Sequence, residues 1–123
     1  MDNIPIQITN FFMAMQAGPS GEEILQNLFW DDATYREPFS GQTEPHKGAQ
    51  AIINAFRNSR TSGFEDAVVT LNFVELDGAI ITVGWTCFAD AIPGGKGSGT
   101  NIFEMRDGKI ASLTTTLDMG EAK

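Results

Sequence analysis

Three side chains in this sequence have the types and settings for proton chemistry: Glu37, Asn101 and His46. Glu37 closes the run Ala33-Thr34-Tyr35-Arg36-Glu37, which is rich in β-favouring residues and which Pro38 stops because proline cannot donate to a sheet ladder. Carboxylates are under-represented on strands, so a glutamate here calls for a reason. Side chains alternate along a strand, and Tyr35 and Glu37 therefore share a face; a pocket on that side would hold one aromatic ring and one carboxylate able to act as a general base. Turned outward, Glu37 would instead sit in solvent or pair with Arg36, Arg57 or Arg60. Asn101 shares its face with Phe103 and Met105, an apolar set, so its amide is expected to be buried and to need partners, either a ligand or a structural hydrogen bond. His46 is the only histidine and lies in a proline-bearing loop, where it would shuttle protons or gate a cavity mouth, or simply cap and pack locally.

Several other chemistries are excluded by count or context. One histidine and one cysteine cannot build a multi-histidine or cysteine-rich zinc site, and a lone cysteine forms no intramolecular disulfide. Cys87 lies in the strand-like run Val83-Gly84-Trp85-Thr86-Cys87-Phe88 and reads as a buried, inert thiol. The glycine-rich stretch Pro93 to Gly99 contains Gly-Lys, but no Ser or Thr follows at the required place and no helix comes after, so it is not a phosphate loop. Sixteen acidic against eight basic residues give a net charge of −8, with no basic cluster to hold nucleic acid. No apolar run reaches the roughly 18 residues of a membrane span, and Met1-Asp2-Asn3 lacks a basic leader, so a cytoplasmic protein is expected.

The elements that must position these residues follow from periodicity. Ile4, Ile8, Phe11, Phe12 and Met15 form one helical stripe that Gly18-Pro19 ends. Ser20 and Glu23 have capping-box spacing, and Ile24, Leu25, Leu28 and Phe29 supply the buried face of a second helix. After the short strand 33–37, residues 39–47 show no periodicity and read as a loop. Ala49, Ile52, Ile53 and Phe56 mark a third helix closed by Gly63. Four long β runs follow, 67–76, 79–91, 100–106 and 109–117, joined by hairpin signals at Asp77-Gly78 and Asp107-Gly108 and by a glycine-rich tip at 93–99. Helices segregated to one face of a meander give an α+β class, and one domain over residues 1–123 is expected.

With these elements in place, the chain resembles the SnoaL-like and ketosteroid-isomerase-like branch of the nuclear transport factor 2 (NTF2-like) superfamily. The resemblance spans nearly the whole chain and is carried by the segments 28–38 (LFWDDATYREP), 46–52 (HKGAQAI) and 101–110 (NIFEMRDGKI). It implies a cone-shaped α+β barrel, also called cystatin-like, with N-terminal helices packed on a curved antiparallel sheet around an apolar pocket. Ketosteroid isomerase pairs a carboxylate base with an oxyanion hole of a tyrosine and a protonated aspartic acid. Glu37 falls on the base and Asn101 on the aspartic acid, while Phe11 replaces the tyrosine and cannot donate. Similarity to the polyketide cyclases points also to Asp118 as an acid/base group. By alternation Asp118 shares a face with Thr114 and Thr116, opposite to Leu113 and Leu117, which places it near a strand end.

The reading that results is an isomerase- or cyclase-type enzyme acting on a small apolar carbonyl compound, with Glu37, Asn101 and Asp118 catalytic. Phe11, Tyr35, Phe39, His46, Phe56, Trp85 and Phe103 are expected to contact the ligand. Proton transfer of this kind needs no metal or cofactor. The alternative is a non-catalytic module of the same fold that binds a hydrophobic ligand or serves as a dimeric interaction unit. The resemblance implies a homodimer through the outer sheet face, while the acidic charge and the lack of a long apolar run leave no nucleic acid and no membrane as partners.

Overall fold

A computed structural model of the chain describes residues 4–38, 43–60, 67–90 and 92–117. Phe39, Asp118 and Gly63 lie outside these residues. Three helices, α1 (Ile6–Gln16), α2 (Glu22–Leu28) and α3 (Ala49–Arg60), pack against strands β1 (Phe29–Arg36), β2 (His46–Lys47), β3 (Val68–Asp77), β4 (Ile80–Phe88), β5 (Lys96–Arg106) and β6 (Lys109–Leu117). The strands form one sheet in the order β2-β1-β6-β5-β4-β3.

The cone-shaped α+β fold expected from the sequence is present, and two features refine its curved sheet. The curved sheet is open, with β2 and β3 as its edges. It is also mixed, because β1 runs parallel to β6, with Tyr35 opposite Leu113. The cause is topological. Parallel neighbours need a long crossover, and α3 with the rest of the meander supplies one between β1 and β6. The remaining pairs are antiparallel.

Local chemistry accounts for the smaller shifts. The expected capping box does not form: a 3-10 turn over Gly18–Gly21 precedes α2, Gly21 is its N-cap, and Ser20 Oγ donates to the Ala17 carbonyl at 3.0 Å. A side chain at position 21 would run into the Ala14 backbone, so the turn can approach α1 this closely only through glycine. At the β3–β4 hairpin Asp77 pairs with Ile80, which moves the two-residue loop to Gly78-Ala79. The β5–β6 loop is Asp107-Gly108 as expected, and both residues have positive φ, the signature of a type I′ turn. β5 starts at Lys96 rather than Thr100, because the glycines of its first half are strand residues and not a hairpin tip.

The core lies between the helices and the inner sheet face. Phe11 of α1, Phe29 of β1, Ile52 of α3, Phe103 of β5 and Leu113 of β6 are fully buried there. The outer face carries four exposed apolar side chains, Val68, Phe73, Phe88 and Ile102.

Candidate active site

The strand register sets polar residues in a row across the inner face. Tyr35 on β1 stands opposite His46 on β2, and Glu37 follows two positions on. On the other side Tyr35 pairs with Leu113 of β6, and Thr115 is the next inward residue of that strand. Thr115 is directly opposite Asn101 of β5; Asn101 faces Val83 of β4, with Trp85 two residues further along. The row thus reads Glu37, His46, Tyr35, Thr115, Asn101, Trp85, and it crosses five strands.

At one end of the row, Asn101 is only 5% exposed. Its Oδ1 accepts two hydrogen bonds, from Trp85 Nε1 at 3.0 Å and from Thr115 Oγ1 at 2.7 Å. An indole N–H only donates, so the amide oxygen must be the atom that faces Trp85. Nδ2 is thereby turned away from both partners, and among the described residues nothing accepts from it. Gly99 makes this arrangement possible: a Cβ there would collide with the Trp85 ring and with the Thr116 carbonyl. The two inward glycines of β5 that the sequence presented as turn formers include this space-maker.

At the other end, the Glu37 side chain is 5% exposed, and its Oε2 lies 2.7 Å from His46 Nε2. The histidine expected in a loop belongs to β2, and its pairing with Tyr35 holds its ring beside β1. Two of the arginines offered as alternative partners are engaged elsewhere, and the side chain of Arg60 lies outside those described. Arg57 makes a two-pronged pair with Glu22, and Arg36 donates to the Thr43 carbonyl.

Tyr35 joins the two ends. Its ring stacks on Phe56 at 4.9 Å and lies 5.7 Å from the His46 ring, and its hydroxyl is hydrogen-bonded to Thr115. Burial pushes the Tyr35 hydroxyl well above its ordinary range, the Thr115 bond pulls it back a little, and the Glu37 carboxylate raises it further. It is therefore a neutral O–H at physiological pH.

The remaining ligand-contact expectations divide. Phe11 sits in an aromatic cluster, edge-on to Phe12, Phe29, Phe56 and Phe103 at 5.0 to 6.2 Å between ring centres. Phe103 shares that cluster, so both rings are members of the core. Phe56 bridges the cluster to Tyr35. Trp85, expected as pocket lining, has its indole N–H committed to Asn101. Phe39 and Asp118 lie outside the described residues. Cys87 is half-buried rather than buried; partial burial pushes its thiol up, which keeps it protonated. Thr115 was not singled out by the sequence reading, although alternation puts it on the same face as Leu113 and Leu117, between two threonines that point outward. Among the described residues no group of three His, Cys, Asp or Glu side chains converges to hold a metal, and no helix is long and apolar enough to cross a membrane.

Helices on one side of a curved, open sheet define the cone-shaped α+β architecture, and solved structures of that type bear out the assignment. A candidate polyketide cyclase from Sinorhizobium meliloti superposes with a TM-score of 0.78 at 21% identity, covering 92% of this chain and 95% of that one. The candidate polyketide cyclase IdmH from Streptomyces antibioticus gives 0.75 at 17% identity, covering 92% and 90%. A candidate ketosteroid isomerase from Kribbella flavida gives 0.74 at 18% identity, covering 92% and 76%. At such identities the likeness concerns the fold. Residues 8–113 match the family model of the SnoaL-like domain, and the chain belongs to that family. Among functionally curated proteins none matches it in sequence.

Proposed function

We propose that this chain is an enzyme of the isomerase or cyclase kind, in which Glu37 moves a proton on a carbon next to the carbonyl of a small apolar compound. The observation that carries the reading is the buried Glu37 carboxylate, fixed by His46 on the same sheet face as the inward-turned Asn101 amide. In the first step the Glu37 carboxylate takes a proton from the carbon beside the carbonyl, and the C–H electron pair passes into an enolate. The charge that develops on oxygen is met by the N–H of Asn101 Nδ2, which needs no shifted pKa to donate. Where the substrate carries a C=C bond beyond that carbon the intermediate is a dienolate, and return of the proton from Glu37 to its far carbon completes an isomerisation; attack of the enolate carbon on a second carbonyl carbon, with the Glu37 proton passing to the alkoxide formed as that C=O π bond breaks, completes a cyclisation. His46 holds the carboxylate in one orientation.

Phe11 supplies no second donor, and one missing donor typically costs about 3–4 kcal/mol of transition-state stabilisation. Modest rates on substrates with an already acidic C–H follow. Asp118 enters as a second acid/base group through the likeness to polyketide cyclases.

The test uses 2-tetralone, an apolar ketone with acidic C–H bonds, in heavy water. Wild-type protein is expected to catalyse exchange of those hydrogens for deuterium, followed by proton NMR. Glu37→Gln should slow it by about 10²–10⁴-fold at an unchanged melting temperature. Asp118→Asn reports in the same assay on the second carboxylate. Undiminished exchange in Glu37→Gln refutes the base. Tetralone binding without any exchange by wild type favours the non-catalytic reading, a hydrophobic-ligand or interaction module.

We also infer a homodimer through the outer sheet face. The exposed Val68, Phe73, Phe88 and Ile102 support it, since apolar groups on one sheet face gain from mutual burial.

A further inference from the structure

Two groups of the inner row, Trp85 and Thr115, have no part in proton transfer, yet both converge on Asn101. An amide of this kind has two orientations that differ by a half-turn, and they present opposite chemistry to a ligand: N–H donors in one, a carbonyl acceptor in the other. Only the first can stabilise a ketone or enolate oxygen. The neighbours of Asn101 differ in their power to choose. A hydroxyl donates or accepts, so Thr115 satisfies either orientation; an indole N–H donates only, so Trp85 tolerates one.

We propose that Trp85 is the positioning residue that selects the donor-outward orientation of Asn101, with Thr115 as its anchor. This proposal rests on the reading of Asn101 as the carbonyl-binding donor. Gly99 belongs to the same device, because the indole reaches Asn101 only across the space its missing side chain leaves. Each bond into Oδ1 also draws charge from the amide group and strengthens donation from Nδ2. In the flipped state a carbonyl oxygen would meet another carbonyl oxygen, and the ligand would be repelled.

The device predicts an order of effects among conservative variants. The quantity read is the affinity ratio of 2-tetralone to tetralin, the same skeleton without the oxygen, by NMR titration. Trp85→Phe keeps the ring bulk but frees the half-turn, and should lower the ketone preference by about five- to tenfold, the worth of one hydrogen bond. Thr115→Val leaves Trp85 to choose and should lower it by about two- to threefold. Thr115→Ser restores the hydroxyl and should match wild type, which a purely packing role for the threonine methyl would not allow. The Asn101 Nδ2 protons, observed by nitrogen-edited NMR, should move on adding tetralone and stay unmoved with tetralin in the wild-type protein.

Failures separate cleanly. If Asn101→Ala folds and keeps the ketone preference, or if the Nδ2 protons ignore tetralone, the underlying reading of Asn101 falls and the positioning role with it. If the Nδ2 protons respond in wild type but Trp85→Phe retains the full ketone preference, Asn101 keeps its role and the selector is refuted. An equal loss in Thr115→Ser and Thr115→Val refutes the anchor.

Discussion

On the inner face of the sheet, Asn101 is buried and bonded to Thr115 and Trp85, and the Glu37 carboxylate meets His46; on the outer face, Val68, Phe73, Phe88 and Ile102 are 40–53% exposed among threonines and serines. The same strands carry both faces, and alternation alone decides which residue goes where. What separates them is the availability of partners. A polar group inside must be bonded or it costs about 1–3 kcal/mol, whereas an apolar group outside costs little in the isolated chain and gains only when another surface covers it. The inner face is therefore specified residue by residue, and the outer face only in kind.

The comparison can be broken most forcefully in the core. Phe103→Ala removes a fully buried ring from the aromatic cluster and is expected to destabilise the fold by about 3–5 kcal/mol in chemical denaturation. A loss below 1 kcal/mol would mean that the cluster is not packed as described. Phe11→Tyr probes the same cluster with polarity instead of volume. It restores the hydroxyl that the ketosteroid isomerases have in the matching position, but among Phe12, Phe29, Phe56 and Phe103 it meets no acceptor. It should cost about 1–3 kcal/mol. Added stability would show that the inner row reaches as far as α1.

A subtler probe is alkaline pH. Tyr35 has its pKa raised in the folded protein, so above the ordinary value of 10.0 the unfolded chain loses this proton while the folded one keeps it. The folded state then binds more protons, and stability falls as pH climbs above about 10. Tyr35→Phe should flatten that part of the stability profile, and an unaltered profile would place the effect elsewhere. The smallest expected effect lies outside. Ile102→Lys should change monomer stability by no more than about 0.5 kcal/mol while shifting sedimentation from dimer to monomer. Unchanged sedimentation would remove the outer face as the dimer contact.

Much of this contrast is legible in the sequence because it depends on period-2 alternation. The shared face of Tyr35 and Glu37, the burial of Asn101 with Phe103, and the Asp107-Gly108 turn can all be read locally. Long-range choices cannot. Nothing near Phe29–Arg36 announces that it will lie parallel to Lys109–Leu117, and nothing in residues 39–47 announces that His46 will return to pair with Tyr35 and meet Glu37. Ser20 and Glu23 had the right spacing for a cap, but the close approach at Gly21 imposed a 3-10 turn first. Thr115 is not legible locally, because three threonines in succession look alike until the register distinguishes the middle one.

The two tryptophans occupy opposite settings, and this gives the protein an internal optical gauge. Trp85 is buried, with its ring N–H tied to the amide proposed to greet the ligand. Trp30 lies at the sheet end, its N–H on the Arg106 carbonyl and its ring under the cations of Arg106 and Lys109. Fluorescence from the first should answer to what enters near Asn101, and that from the second to salt. A single tube of protein thus reports on its interior and its rim in two separable colours.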